Sequence, residues 1–113
     1  MIKLKNTDVL ESLLIQPMHE NMIDLLLWVA NRYVVTISQG YEKRDYRSVH
    51  STIPFRGVDI RSWDYKDPQS VADTINDNWT YDPGRPEMLC AVYHDTGRGV
   101  HIHLQVHDKT ERL

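Results

Sequence analysis

Two histidines lie two positions apart near the end of the chain, within the alternating run of residues 100–106. In a β-strand, side chains two positions apart project to the same face, so His101 and His103 are expected to lie side by side. Neighbouring imidazoles can both bind a metal ion, or one can bind it while the other transfers protons. The alternative is an exposed strand face that carries two histidines without such a role.

A metal site needs further ligands, and two candidates precede this strand. His50 lies late in a polar segment, and Asp59 lies between Val58 and Ile60 in a run that predicts another strand. Strands are depleted in aspartate, and a carboxylate at such a position needs a partner if it is buried. Two histidines and one aspartate with an open fourth position are typical of catalytic rather than structural zinc.

The composition indicates one globular domain spanning residues 1–113. Hydrophobic residues make up 41% of the chain, enough for a modest core, and the net charge is −3. A nucleic-acid-binding protein usually carries a basic stripe, which this sequence lacks. The single cysteine, Cys90, rules out an internal disulfide, and the apolar run around it predicts a buried position.

The sequence shows neither a signal peptide nor a membrane span. No charged region followed by an apolar one opens the chain, and the longest apolar stretch, around residues 25–30, is too short to cross a bilayer. We therefore expect a protein that is cytoplasmic as synthesised, with neither nucleic acid nor membrane among its partners. It would act outside the cell only after release by other means.

The secondary structure predicted around these residues indicates an α+β fold. Periodicity and capping signals predict helices over residues 7–16, 18–32 and 67–79, strands over 33–38, 57–63, 88–94 and 100–107, and a long polar loop over 39–56. The last two strands are expected to pair as an antiparallel hairpin, and residues 108–113 to fray. The whole predicts a small, mainly antiparallel sheet with helices packed on one face.

The other histidines and two aromatic residues are less informative. His19 begins a predicted helix, His94 ends a predicted strand and His107 lies near the tail, so all three are expected at the surface. Trp63 and Tyr93 either line a substrate groove or pack against the core.

Three motifs follow one another along the chain. They are Ser48-Val49-His50, Arg56-Gly57-Val58-Asp59-Ile60 and His101-Ile102-His103. The ordered set resembles the zinc signature of the D-alanyl-D-alanine metallopeptidases, in which Ser-x-His precedes Gly-Arg-Ala-Val-Asp-Ile and a late His-x-His. That family shares its fold with the Hedgehog signalling domain and with phage endolysin peptidases. The resemblance covers roughly residues 18–107 and implies a Hedgehog/DD-peptidase-like fold.

The resemblance also implies a role for each residue. His50, Asp59 and His103 would be the zinc ligands, and His101 would lie beside the metal as general base or transition-state stabiliser. Ser48 would support the loop or contact the substrate. The substrate would be a peptide, in particular a peptidoglycan peptide or one that contains D-Ala.

The chain departs from the family pattern at the residue that would bind the substrate and at the residue that would act as base. Glu42 stands where the family has a substrate-binding arginine, so Arg44 or Arg47 would have to take over this role. The family's glutamate before the last zinc histidine is missing, and Asp95 is the nearest acid. Either His101 is the sole base, or the site is catalytically weak.

Two further departures concern the loop that carries His50. The gap from His50 to Asp59 is longer than in the family, so the loop must bulge for His50 to reach the metal. Phe55 stands where the family has glycine, and Gly57 stands where it has alanine.

Three hypotheses remain open at this point. The first is a zinc metallopeptidase acting on cell-wall peptides, such as a small phage-type lytic enzyme or a cytoplasmic dipeptidase. The second is a metal-binding interaction domain of the same fold without catalysis. The third is a structural protein without a metal, for which His50→Ala and His103→Ala would leave stability and metal content unchanged.

Overall fold

The computed structural model describes residues 1–43, 48–95 and 99–113, which fold into three helices and two sheets. The helices are α1 (Thr7–Ile15), α2 (Glu20–Arg32) and α3 (Pro68–Asn78). The strands are β1 (Ile2–Leu4), β2 (Val35–Gln39), β3 (Gly57–Arg61), β4 (Trp79–Thr80), β5 (Ala91–Asp95), β6 (Val100–Gln105) and β7 (Glu111–Arg112).

The main sheet has five strands in the order β1-β2-β3-β6-β5. The β1–β2 pairing is parallel, and the other three pairings are antiparallel. The predicted α+β class, the mainly antiparallel sheet and the β5–β6 hairpin are therefore confirmed. Strand β1 was not predicted, because three residues are too few to show a strand period.

The end of the chain is ordered, so the predicted fraying of residues 108–113 is wrong. Glu111 and Arg112 pair with the two residues of β4 in a separate antiparallel ribbon. Thr110 is buried, and its hydroxyl donates a hydrogen bond of 2.7 Å to the carbonyl of Tyr81. Long-range pairing of this kind leaves no signal in a short segment of five polar residues and a terminal leucine.

Side chains at the helix starts define where each helix begins. Asp67 accepts a hydrogen bond from the amide of Ser70 and Pro68 follows it, which confirms the predicted start of α3. Helix α2 begins two residues later than predicted, because Met18 forms an isolated parallel bridge with Phe55 and His19 caps the helix. Among the described residues, none of the helices is long and apolar enough to cross a membrane.

Alternate residues of β3 and β6 form the centre of the core. Val58, Ile60, Ile102 and Leu104 are completely buried, and each such side chain contributes about 1.5–3 kcal/mol by leaving water. The same hydrophobic cluster contains the buried residues of α2 and α3: Met22, Leu25, Leu26, Trp28, Val29, Val71, Ala72 and Ile75. The intervening residues of β3 and β6 project to the opposite face of the sheet, which carries the site.

Candidate metal centre

Strand register brings the central carboxylate and a histidine together. Asp59 of β3 lies directly opposite His103 of β6, and directly opposite residues share a face of the sheet. The Nδ1 atom of His103 lies 2.9 Å from Oδ1 of Asp59, and Nε2 of His101 lies 3.6 Å from Oδ2. Asp59 is only 5% exposed, so its charge is stabilised chiefly by these neighbours rather than by water.

His50 reaches the same carboxylate from the loop between β2 and β3. Its Nε2 atom lies 3.3 Å from Oδ1 of Asp59, and the residue is 4% exposed. Its backbone is held on both sides, since its carbonyl accepts from the amide of Glu42 and its amide donates to the hydroxyl of Ser48. The candidate ligand atoms of His50, Asp59 and His103 all lie within 4.8 Å of one another.

Two glycines allow the close approaches that set the position of His50. A Cβ atom at Gly57 would lie 2.4 Å from Cγ2 of Val49, and one at Gly40 would lie 2.6 Å from Cδ2 of Leu13. Only glycine fits between these neighbours without displacing them. Alanine at position 57 would therefore push against the loop that carries His50.

The hydrogen bonds of His50 fix which of its nitrogens carries the proton. Nδ1 lies 3.0 Å from the carbonyl oxygen of Gly40, which can only accept, so Nδ1 is the donor. In the neutral ring the remaining nitrogen, Nε2, then presents a lone pair to Asp59 Oδ1. A backbone carbonyl that orients the outer nitrogen is the usual support of a metal-binding histidine.

His101 and His103 repeat this arrangement. The outer nitrogen of His101 donates to the carbonyl of Gly99 at 3.3 Å, and that of His103 donates to Oε1 of Gln105 at 3.2 Å. The Gln105 amide is itself oriented, because its nitrogen donates to the carbonyl of Leu89. In the neutral rings the inner nitrogens are therefore left as acceptors that face the carboxylate.

Three imidazole lone pairs thus converge on a carboxylate that is also an acceptor. Such an arrangement is unfavourable unless protons or a cation lie between the facing atoms. Zinc with bonds of about 2.0–2.2 Å in a tetrahedral site separates its ligand atoms by about 3.4 Å. The distances from Asp59 Oδ1 to His103 and His50, 2.9 and 3.3 Å, are close to this value, so the donor set fits a divalent ion.

The electrostatics of Asp59 follow from the same neighbours. Burial alone would raise the pKa of this carboxyl, but without a metal ion His103 and His50 can each carry a proton on the nitrogen that faces it, and the hydrogen bonds and positive charge of these rings hold the pKa well below its ordinary range. Asp59 is therefore ionised at every pH at which a histidine can act as a metal ligand.

A fourth histidine, which sequence reasoning missed, lies beside the cluster. His94 of β5 is directly opposite His101, with ring centroids 5.0 Å apart, and its ring lies 6.0 Å from that of His103. Burial and the neighbouring rings of His101 and His103 lower the pKa of His94. The missing information was the pairing register of the hairpin, which places His94 on the same face as His101.

The cluster opens into a cleft of about 1270 Å³ on the polar face of the sheet. Trp63 lines this cleft with 73% of its surface exposed, and the guanidinium of Arg61 stacks 4.6 Å from its ring. Tyr93 lines the cleft and also packs against the core. Arg44 and Arg47, the expected substrate-binding residues, lie outside the described residues.

The expected surface position of His19 is wrong. The residue is 8% exposed, its Nδ1 accepts from the amide of Asn21, and its Nε2 lies 2.8 Å from the carboxylate of Asp108. His107 is half-buried beside the ring of Tyr81. Cys90 is buried as predicted, and burial raises the pKa of its thiol to about 12.

Comparison with known proteins identifies no relative of this chain. No protein-family model, no curated protein and no solved structure matches the chain. The resemblance to the D-alanyl-D-alanine metallopeptidases therefore depends on the ordered motifs, and the metal centre depends on the geometry around Asp59.

Proposed function

We propose that this protein is a zinc-dependent metallopeptidase that hydrolyses peptidoglycan peptides or other peptides containing D-Ala. The observation that carries the proposal is the set of three histidines around Asp59, each with its outer nitrogen bonded to an oxygen acceptor and its inner nitrogen facing the carboxylate. A buried donor set of this kind, next to an open cleft, supports a catalytic rather than a closed structural ion.

In this proposal His50, Asp59 and His103 hold the ion. When bound, zinc would supply Lewis-acid polarisation of the scissile carbonyl and lower the pKa of water. His101 is the general base: its Nδ1 proton is committed to Gly99, which leaves Nε2 free to accept a proton at the cleft. Burial of Asp59 and His50 keeps bulk water from competing for the ligand atoms.

The cleft would bind the peptide on either side of the ion. The exposed ring of Trp63 offers an apolar platform on one wall, and the Ser48 hydroxyl lies near His50 on another. Arg44 or Arg47 would bind a negatively charged group of the substrate. The enzyme would meet a cell-wall substrate after release from the cell in which it is made.

A metal-binding interaction domain without catalysis is the second candidate. It is favoured by Glu42, which stands where the family has its substrate-binding arginine and whose carboxylate accepts a hydrogen bond from the amide of Gln39. This candidate requires the same three ligands but no function for His101.

One experiment separates these candidates. Zinc content is measured by mass spectrometry for the wild type, His103→Ala and His107→Ala, and the wild type and His101→Ala are then assayed on D-Ala-D-Ala peptides and muropeptides. Bound zinc that His103→Ala loses and His107→Ala keeps, together with hydrolysis that depends on His101, supports the peptidase. Zinc without hydrolysis favours the interaction domain, and a wild type that takes up no zinc overturns both.

A further inference from the structure

We infer that a second, weaker cation site adjoins the first, formed by His94, His101 and the Oδ2 atom of Asp59. Its occupancy would suppress the proposed hydrolysis, and this consequence rests on the proposed function. The existence of the site does not, because metal binding can be measured without any activity.

The carboxylate of Asp59 is divided between two sets of imidazoles. Oδ1 faces His103 at 2.9 Å and His50 at 3.3 Å, whereas Oδ2 faces His101 at 3.6 Å. A carboxylate whose two oxygens point to different donors is suited to bridge two ions, which in protein sites lie about 3.5–4 Å apart.

His101 presents a bare lone pair to this second oxygen. Its Nδ1 proton is directed to the carbonyl of Gly99, so its Nε2 and Asp59 Oδ2 are two acceptors facing each other. A cation bound at about 2.1 Å by each atom would fit the 3.6 Å gap between them with an open bond angle. The same ion would remove the repulsion between these acceptors.

His94 supplies a further imidazole on the same side. It lies directly across the hairpin from His101, with the two rings edge to face, and it is only partly buried. The proposed function gives His94 no role. Imidazole donors with one carboxylate oxygen select zinc, copper or nickel over magnesium or calcium, which prefer oxygen ligands.

The second site is looser than the first. In the described part of the chain, the group with all its ligand atoms within 4.8 Å of one another is His50–Asp59–His103, and His94 and His101 are not in it. The second ion therefore needs a side-chain adjustment at His94, and water would complete its coordination. We expect its dissociation constant to exceed that of the first ion by at least about tenfold.

An ion at the second site occupies the lone pair of His101 Nε2. That nitrogen can then no longer accept a proton from the reacting water, so hydrolysis stops although the first ion stays bound. Hydrolysis should therefore rise as the first site fills and fall again at higher zinc.

The test is a zinc titration of the metal-free protein at neutral pH, by calorimetry and by equilibrium dialysis, beside hydrolysis over the same zinc range. The wild type should bind two ions in separate steps. His94→Ala should keep the first step, lose the second, and need at least about tenfold more zinc before hydrolysis falls. His107→Ala, which changes a histidine outside the cleft, should behave as the wild type.

The outcomes distinguish this inference from the proposed function. A wild type that binds a single zinc, with His94→Ala titrating in the same way, overturns the second site and leaves the peptidase intact. Binding of both ions without hydrolysis overturns the peptidase and leaves the second site standing. Retention of the first step in His94→Ala shows that this variant is folded, so the loss of its second step can be assigned to the side chain.

Discussion

Two histidine–aspartate clusters in this molecule look similar and are built in opposite ways. At the start of α2, His19 accepts from the amide of Asn21 through Nδ1 and donates to Asp108 through Nε2. Each donor therefore meets an acceptor, and the hydrogen bond from His19 lowers the pKa of Asp108. The pair joins the helix to the C-terminal segment, and both ring nitrogens of His19 are occupied by hydrogen bonds, so neither is available to a metal ion.

In the second cluster the imidazoles face Asp59 with acceptors instead of donors. The outer nitrogen of His50 is committed to a carbonyl oxygen, as is that of His101, and the outer nitrogen of His103 donates to a side-chain amide. The comparison shows that a short histidine–carboxylate distance does not define a metal site. What distinguishes the two clusters is whether the other nitrogen of the ring accepts a hydrogen bond, as in His19, or donates one, as in the histidines around Asp59.

The largest difference in zinc affinity is expected between a variant that lacks Asp59 and a variant that lacks Asp108. Asp59→Ala should weaken zinc binding by more than about 100-fold, because a change in a supporting residue alone costs about 10–100-fold. Asp108→Ala is the matched control and should leave zinc affinity unchanged. Competition with a chromophoric chelator measures both, and equal affinities in the two variants would break the distinction drawn between the clusters.

Acidification should also lower the affinity for zinc, by no more than the loss of Asp59 does. Zinc binds imidazole only in its deprotonated form, so the affinity of an ion held by two histidines should fall as the pH is lowered from about 7 to about 5. Asp59 adds nothing to this slope, because its lowered pKa keeps it ionised throughout that range. Affinity that stays constant over this range would show that the imidazoles do not bind the ion.

A smaller effect is expected from crowding the loop beside the site. Gly57→Ala places a methyl group 2.4 Å from Val49 and so displaces His50, which should weaken zinc binding by about tenfold and destabilise the fold by about 1–3 kcal/mol. Gly84→Ala is the control, since its Cβ would meet only Asp82 Oδ1 at 3.4 Å. Calorimetric titration and thermal unfolding of both variants test this, and unchanged zinc affinity in Gly57→Ala would contradict it.

The smallest effect on zinc should come from the structural cluster. His19→Ala removes the cap of α2 and should lower the free energy of unfolding by about 1–2 kcal/mol, with zinc affinity unchanged. Denaturant unfolding of the zinc-free protein gives the first quantity, and chelator competition gives the second. A loss of zinc binding in this folded variant would mean that the two clusters are coupled.

Much of the fold was predictable because its signals are local. Asp67 and Pro68 mark the start of α3 by capping chemistry, and the alternation along β6 fixes which residues share a face. The long polar loop and the buried Cys90 were predicted in the same way. The sequence did not reveal β1 or β7, because each is too short to show a period and exists through its partner strand.

The candidate ligands were predictable one by one, but their arrangement was not. The alternation around Asp59 predicts a strand position for it, and the ordered motifs connect it with His50 and His103. Neither shows that Asp59 lies opposite His103, or that His94 joins them from β5, because pairing register depends on contacts between distant segments.

The order of residues is enough to place His101 and His103 on one face, because the two-residue period of a strand is a property of the backbone. The sequence also shows that a carboxylate at position 59 would need partners once buried. Which histidines became those partners, and which one became the cap of α2, depends on the tertiary fold. That choice depends on whether the outer nitrogen of each ring meets an acceptor or, as in His19, a donor, and most of these partners are placed by the packing of loops and strands.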